Sequence, residues 1–241
     1  MKNKELHRLG HFTVEFSFAW SPLPSQGASP NGYVIGEMVF FCWARPSPQH
    51  QKACIDKAGT FNYDENFKGA TSKSISSLKE DKHLKEAGFA LNHARVLVGS
   101  GMETFEKGKT ALQTWRHFQF NWTFVDSATP IKTGVKFCVC VNEFLSWLTM
   151  PLQIAYVDED KSAKKVKASF SYGSGTLQGH LLAGEECFSL ELDENDQVWY
   201  EILSFSKPAH LLSFIGYPYV LHRQKCFTME STKAVLKHCS V

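Results

Sequence analysis

Glu185-Glu186-Cys187-Phe188-Ser189-Leu190-Glu191-Leu192-Asp193-Glu194-Asn195-Asp196-Gln197-Val198-Trp199-Tyr200-Glu201-Ile202-Leu203-Ser204-Phe205 is two β-rich runs around one polar turn. Successive strand residues point to opposite faces, so Phe188, Leu190 and Leu192 share a face with Glu186, while Glu185, Cys187, Ser189 and Glu191 point away. In the second run Val198, Tyr200, Ile202 and Ser204 line up together, and Trp199, Leu203 and Phe205 make the other face apolar too. Asp193 to Asp196 has the length and composition of a hairpin connection. The spacing therefore predicts an antiparallel pair with an apolar inner face that carries a few polar points.

Working outward, strand candidates precede this pair at 121–125, 135–141, 152–157 and 166–172; in the last of these Val166, Ala168, Phe170 and Tyr172 form the inward set. Further upstream, Leu91 to Val98 reads as a strand closed by Gly99-Ser100-Gly101. It hands over to an amphipathic helix from Met102 to His117, in which Phe105, Leu112 and Trp115 return near helical spacing. Downstream of Lys207-Pro208 the chain turns helical to about Lys237, with a kink expected at Gly216-Tyr217-Pro218. Strands joined by short links pair as antiparallel neighbours, and a terminal helix must cover the apolar face. The expectation is an α+β fold with a curved antiparallel sheet of about seven strands wrapped on a long C-terminal helix. That order is similar to the helix-grip layout of Bet v 1 and START-like domains, in which the curled sheet encloses a cavity.

Residues 1–37 have a different texture. Proline and glycine punctuate 21–32, no period is sustained, and Met38 could serve as an alternative start, so 1–37 is expected to be a poorly ordered extension and 38–241 a single ligand-cavity domain. Phe12 to Trp20 argue the other way, since they alternate as an edge strand would. Ser47-Pro48 opens a helix, Thr60 to Lys68 read as loop and Ser72 to Lys85 as a polar helix.

Charge and cysteine usage exclude several function classes. The 26 basic and 24 acidic residues are intermixed, with no stripe to neutralise phosphates, so nucleic acid is not expected as a partner. Seven cysteines, an odd count in a long chain, read as reduced thiols and a cytoplasmic location. No run approaches the roughly 20 apolar residues that span a bilayer, so membrane insertion is not expected. Cys138 and Cys140 share one strand face and read as filler.

The candidate site residues follow from the inward faces. Glu186 on an apolar face is desolvated, which raises a carboxylate pKa and suits proton transfer; the alternative reading is a structural partner of Arg95, Arg116 or a backbone amide. Tyr172 and Tyr200 have apolar bodies and polar tips, fit either to donate to a carbonyl or to satisfy a core partner. His180 lies in the glycine-rich stretch 173–184, read as a loop at the cavity mouth. That stretch opens no helix, so phosphate-binding mechanics do not apply, and the ligand spacing of zinc motifs is absent: no metal and no cofactor are expected. Trp115, His117, Phe170, Phe188, Ser204 and His210 complete the expected substrate-binding set, with core packing, helix-end charge or capping as the plainer role for Trp115, His117 and His210.

Four stretches carry a more specific resemblance: 96–101 (VLVGSG), 111–118 (ALQTWRHF), 172–186 (YGSGTLQGHLLAGEE) and 205–210 (FSKPAH). Together they resemble the plant branch of uncharacterised protein family 0548, over about Met38 to Lys237. The resemblance implies a place among plant relatives that act as iridoid cyclases, closing a reactive 8-oxocitronellyl enol into nepetalactol. It thus implies a cofactor-free cyclase or isomerase with catalytic Glu186, Tyr172, Tyr200 and His180, fed by an upstream reductase. The alternative is a carrier or sensor of a small hydrophobic metabolite, which needs only the cavity.

Overall fold

The computed structural model describes residues 4–9, 12–19, 40–160 and 166–240. The proline- and glycine-marked stretch 21–32 and Met38 lie outside them. In chain order the strands are β1 (Lys4–Leu9), β2 (Phe12–Ala19), β3 (Phe40–Cys42), β4 (Ala90–Ser100), β5 (Thr123–Phe124), β6 (Lys136–Glu143), β7 (Ser146–Asp160), β8 (Val166–Thr176), β9 (Leu182–Asp193) and β10 (Gln197–Pro208). The helices are α1 (Pro48–Lys57), α2 (Ile75–Glu80), α3 (Lys82–Glu86), α4 (Gly101–Gln113), α5 (Leu211–Ile215) and α6 (Tyr217–Cys239).

All strands join one antiparallel sheet in the order β1-β2-β4-β10-β9-β8-β7-β6-β5, with β3 added to β7. The seven strands from β4 onward are the seven the sequence predicts, and with α6 they make the helix-grip arrangement. Two further strands come from the leader. β2, which covers most of the Phe12–Trp20 alternation, pairs with β4 from Val14↔Val96 to Ala19↔Leu91. The boundary at Met38 therefore stands as a proposal to be tested by truncation.

Local signals set the helix ends. Ser47 caps α1, its Oγ accepting from His50 N, with Pro48 in the first turn. The predicted polar helix over 72–85 divides in two because Asp81, which ends α2, also caps α3 by accepting from Leu84 N. α4 stops four residues short of His117: Trp115 adopts a left-handed φ of 57°, and a 3-10 turn, Arg116–Phe118, follows. The C-terminal helix is interrupted at Gly216, as its Gly-Tyr-Pro sequence predicts.

The sheet buries apolar residues on both faces. Under α4 and α6, Trp115, Phe137, Phe170, Tyr172, Phe188, Leu190, Tyr200 and Ile202 form the main core. On the opposite face Tyr63, Leu78, Leu84, Phe89, Leu203 and Phe205 form a second one beneath the 61–89 segment. The dual apolar character of β10 is the sequence trace of this arrangement. Fully burying such a side chain contributes about 1.5–3 kcal/mol, so both layers matter to stability.

Two glycines make the second layer possible. A Cβ at Gly173 would lie 2.2 Å from the Tyr156 ring, and one at Gly175 would lie 2.3 Å from the Tyr63 hydroxyl. Both glycines belong to β8, so the predicted mouth loop shrinks to 177–181. A β-bulge between Ile154 and Tyr156 in the β7–β8 register lets Ile154 face the main core while Tyr156 reaches Thr71 on the other side.

Candidate functional site: an apolar cavity with one unpaired carboxylate

The inner face of the sheet is filled at one end and hollow at the other. Between β6–β7 and the start of α6 lies a cavity of about 540 Å³. Val139, Val141, Leu148, Met150 and Leu152 form its floor, Phe118 and Phe227 close it toward the core, and Leu181 and Leu212 stand at the loop side. The wall is almost wholly apolar. Its polar groups are mostly satisfied by one another: Arg223 Nε donates to Glu143 Oε1 at 2.6 Å, the Tyr219 hydroxyl donates to the same carboxylate, and Gln224 Nε2 donates to Ser206 Oγ at 3.0 Å.

Glu186 is different. It lines the cavity from β9, opposite Ser204 of β10, and has no hydrogen-bond or ion-pair partner among the described residues. Arg95, one of the partners named for a structural role beside Arg116 and a backbone amide, instead pairs with Glu191 and Glu201 on the opposite face, at 3.2 and 2.9 Å. Burial alone pushes the Glu186 carboxyl up to about 8. The side chain is partly buried, facing open space instead of packed atoms. An acid of this kind is largely protonated at neutral pH and can donate a hydrogen bond or exchange a proton.

His180 lines the same cavity from the β8–β9 loop. Its Nδ1 lies 2.9 Å from the Leu182 amide and 3.0 Å from the Leu182 carbonyl, so the backbone occupies that nitrogen and Nε2 is left. Burial holds the ring neutral, with its pKa lowered to about 4.

The remaining predicted residues are elsewhere. Tyr172 and Tyr200 are buried behind the cavity wall, and burial raises both hydroxyls well above their usual pKa. The Tyr172 hydroxyl bonds His117 Nε2 at 2.5 Å, and Tyr200 bonds Ser231 Oγ of α6 at 2.7 Å. His117 is wholly enclosed and held neutral by burial, its pKa lowered to about 3, so it adds no charge to the end of α4. Its ring stacks on Trp115 at 5.7 Å. Phe170 and Phe188 belong to the packed core, and Ser204 is buried beside Glu186 without lining the cavity. His210 caps α5, its Nδ1 accepting from Leu212 N at 3.2 Å.

Sequence reasoning passed over the α6 contribution. Tyr219, Arg223 and Phe227 recur every four residues on one helix face, a spacing that would have identified them as a wall. Glu185 points away from the inner face as the alternation predicts, but into the second core. Glu185 is 2% exposed and accepts hydrogen bonds from the Tyr63 hydroxyl, the Gly69 amide, and the Thr71 amide and hydroxyl at 2.5–3.0 Å.

Residues 74–234 match the family model described as domain of unknown function DUF1990. A UPF0548 protein of Arabidopsis thaliana is 62% identical over 201 residues, covering 83% of this chain and 98% of its own length. A UPF0548 protein of Dictyostelium discoideum is 30% identical over 208 residues, 82% of this chain and 94% of its own. Among solved structures, a hypothetical protein from Helicobacter pylori aligns at a TM-score of 0.40 and 12% identity, covering 62% of this chain and 86% of that one. The four sequence stretches, the long alignments and the matched domain agree: the chain belongs to the UPF0548 family, the bearers of the DUF1990 domain, and stands with its plant branch.

Proposed function

We propose that this protein binds a small, largely apolar molecule in the 540 Å³ cavity, with Glu186 holding the ligand's single polar end. One observation carries the reading: a carboxyl group with no partner among the described residues faces an apolar space of ligand size. Ligand pockets typically measure ~300–1,000 Å³ and combine apolar walls with a few orienting polar groups. An unpaired acid in such a wall has a free-energy cost that a bound hydrogen-bonding group offsets.

The test uses N-phenyl-1-naphthylamine, a neutral apolar dye whose fluorescence rises in dry sites. Saturable one-to-one binding is expected, lost when Val141→Trp fills the cavity, with circular dichroism confirming that the variant is folded. Unsaturable binding by the native chain sinks the reading.

The raised pKa of Glu186 supports a second reading, in which the bound molecule also turns over. A cofactor-free cyclase or isomerase acting on a terpenoid enol or aldehyde must return or remove one proton, and an acid poised near neutrality serves that step. Tyr172 and Tyr200, engaged in the core, supply no donors to it, so Glu186 and His180 carry the chemistry. In the iridoid version the protein is added to 8-oxocitronellyl enol generated by a reductase, and products are resolved by chiral gas chromatography. Nepetalactol formation should rise with native protein and be lost in Glu186→Gln, while dye binding is retained. A product ratio that ignores protein concentration removes the catalytic reading and leaves the binding one standing.

A further inference from the structure

The apolar wall of the cavity does not stop at its mouth. Phe41, Phe144 and Leu212 line the cavity and are nevertheless 57%, 84% and 52% exposed. Trp43, Leu145 and Ile215 continue the same surface outward, at 88%, 84% and 72% exposed. The elements that carry them are contiguous. Cys42 of β3 pairs with Trp147 of β7, which places Trp43 beside the β6–β7 turn, and the Phe144 ring stacks on Tyr219 of α6 at 5.6 Å. Soluble surfaces rarely gather this many large apolar side chains in one place without a use for them.

The β6–β7 turn adds an independent sign. Glu143 pairs with Ser146, so Phe144 and Leu145 form a two-residue hairpin connection, and Phe144 sits at a φ of +56°. That conformation belongs to Asn or Gly, and a bulky residue adopts it only under strain. Here an aromatic residue takes it at a tip where its side chain is mostly exposed and its one ring contact is the stack on Tyr219. Local rules broken without a packing return mark functional positions.

Charge indicates what covers the rim. From Met38 to Ile55 and from Ile202 to Met229 there is no Asp or Glu, whereas Arg45, Lys52, Lys207, Arg223 and Lys225 all fall in these stretches. Glu143, which lines the mouth, is paired with Arg223. We infer that the cavity mouth docks on the surface of a bilayer bearing anionic lipid, the Phe144-Leu145 turn, Trp43 and Ile215 dipping into the headgroup boundary while the basic residues meet the phosphates. Such contact is peripheral, since no described helix is long and apolar enough to cross a membrane. It also gives the cavity a purpose-built entrance, because an apolar molecule leaves the bilayer for the cavity without passing through water.

The experiment is co-sedimentation of the full chain with phosphatidylcholine vesicles, with and without about 30 mol% phosphatidylserine. The chain should pellet with the anionic vesicles several-fold more than with the neutral ones. The double variant Phe144→Gly with Leu145→Asn puts glycine at the one turn position with positive φ, so it should fold at least as well while losing at least about fivefold of the vesicle-bound fraction. Trp43→Ser should weaken binding on its own. Failure to pellet, equal pelleting with both compositions, or full retention by the double variant overturns the assignment. So does a concentration-dependent dimer in sedimentation velocity that the double variant abolishes, which would make a second copy the occupant. Dye binding in the cavity is read separately, so loss of docking and loss of the binding reading are distinguishable.

Discussion

Glu185 and Glu186 are chain neighbours of identical chemistry on one strand, and the sheet sends them to opposite fates. Glu185 faces the second core and is wrapped by four donors from the 63–71 segment, so its charge is fully solvated by protein. Glu186 faces the cavity with no donor among the described residues, and burial alone acts on it. The difference teaches that burial by itself does not make a carboxylate structural or functional. What decides is whether the fold supplies the hydrogen bonds that water gave, and here it does so on one face and withholds them on the other. A ligand is the natural completion of the second face.

The largest expected effect comes from breaking the satisfied side. Glu185→Ala strands the Tyr63, Gly69 and Thr71 donors and should lower unfolding free energy by about 3–5 kcal/mol, read as a fall in the urea midpoint with unchanged slope. A loss below about 1 kcal/mol would erase the contrast. Next, Gly173→Ala drives a methyl into the Tyr156 ring that abuts the Glu185 network and should cost about 1–3 kcal/mol by overpacking. An equal loss in dye affinity would show that the two faces are coupled.

Truncation to Met38 asks whether the comparison is confined to β9 and its neighbours. β2 lies on β4, which is separated from β9 by β10. The domain proposed over 38–241 should therefore keep its cavity, and its thermal midpoint should fall by no more than about 4 °C, on the order of 1–2 kcal/mol. A larger drop makes the leader part of the fold.

Glu186→Gln should have the smallest effect, and its sign depends on pH. With a folded pKa near 8 against an ordinary 4.5, the folded chain holds more protons than the unfolded chain between those values. Native stability therefore falls as pH rises through that window and levels off above it. Gln mimics the protonated acid, so near pH 5 the variant should match the native chain within about 0.5 kcal/mol. By pH 9 it should be more stable by about 1 kcal/mol, a figure kept small because the carboxylate is partly exposed to the cavity. Parallel pH profiles for the two chains would mean that Glu186 finds a partner in solution.

Much of this was legible from residue order. The alternation along 185–205 gives both strands and their hairpin, and it puts Phe188, Leu190, Tyr200 and Ile202 on one face with Glu186, where the main core and the cavity are found. Strand extents were less legible: β8 runs on through Gly173 and Gly175, residues that usually interrupt a strand, because Tyr156 and Tyr63 need the room their missing side chains leave. The candidate cavity was half legible. Glu186 and His180 were identified, but Tyr172 and Tyr200, which share the inward face, lie where that face is packed solid.

The sequence by itself determined which side chains turn inward, since strand alternation and helical spacing are local properties that the backbone enforces wherever the chain goes. Only the tertiary structure decided which inward residues meet atoms and which meet space. That depends on where α4 and α6 lie across the sheet and on the loop that folds under Glu185, contacts between residues more than a hundred positions apart that no local period records.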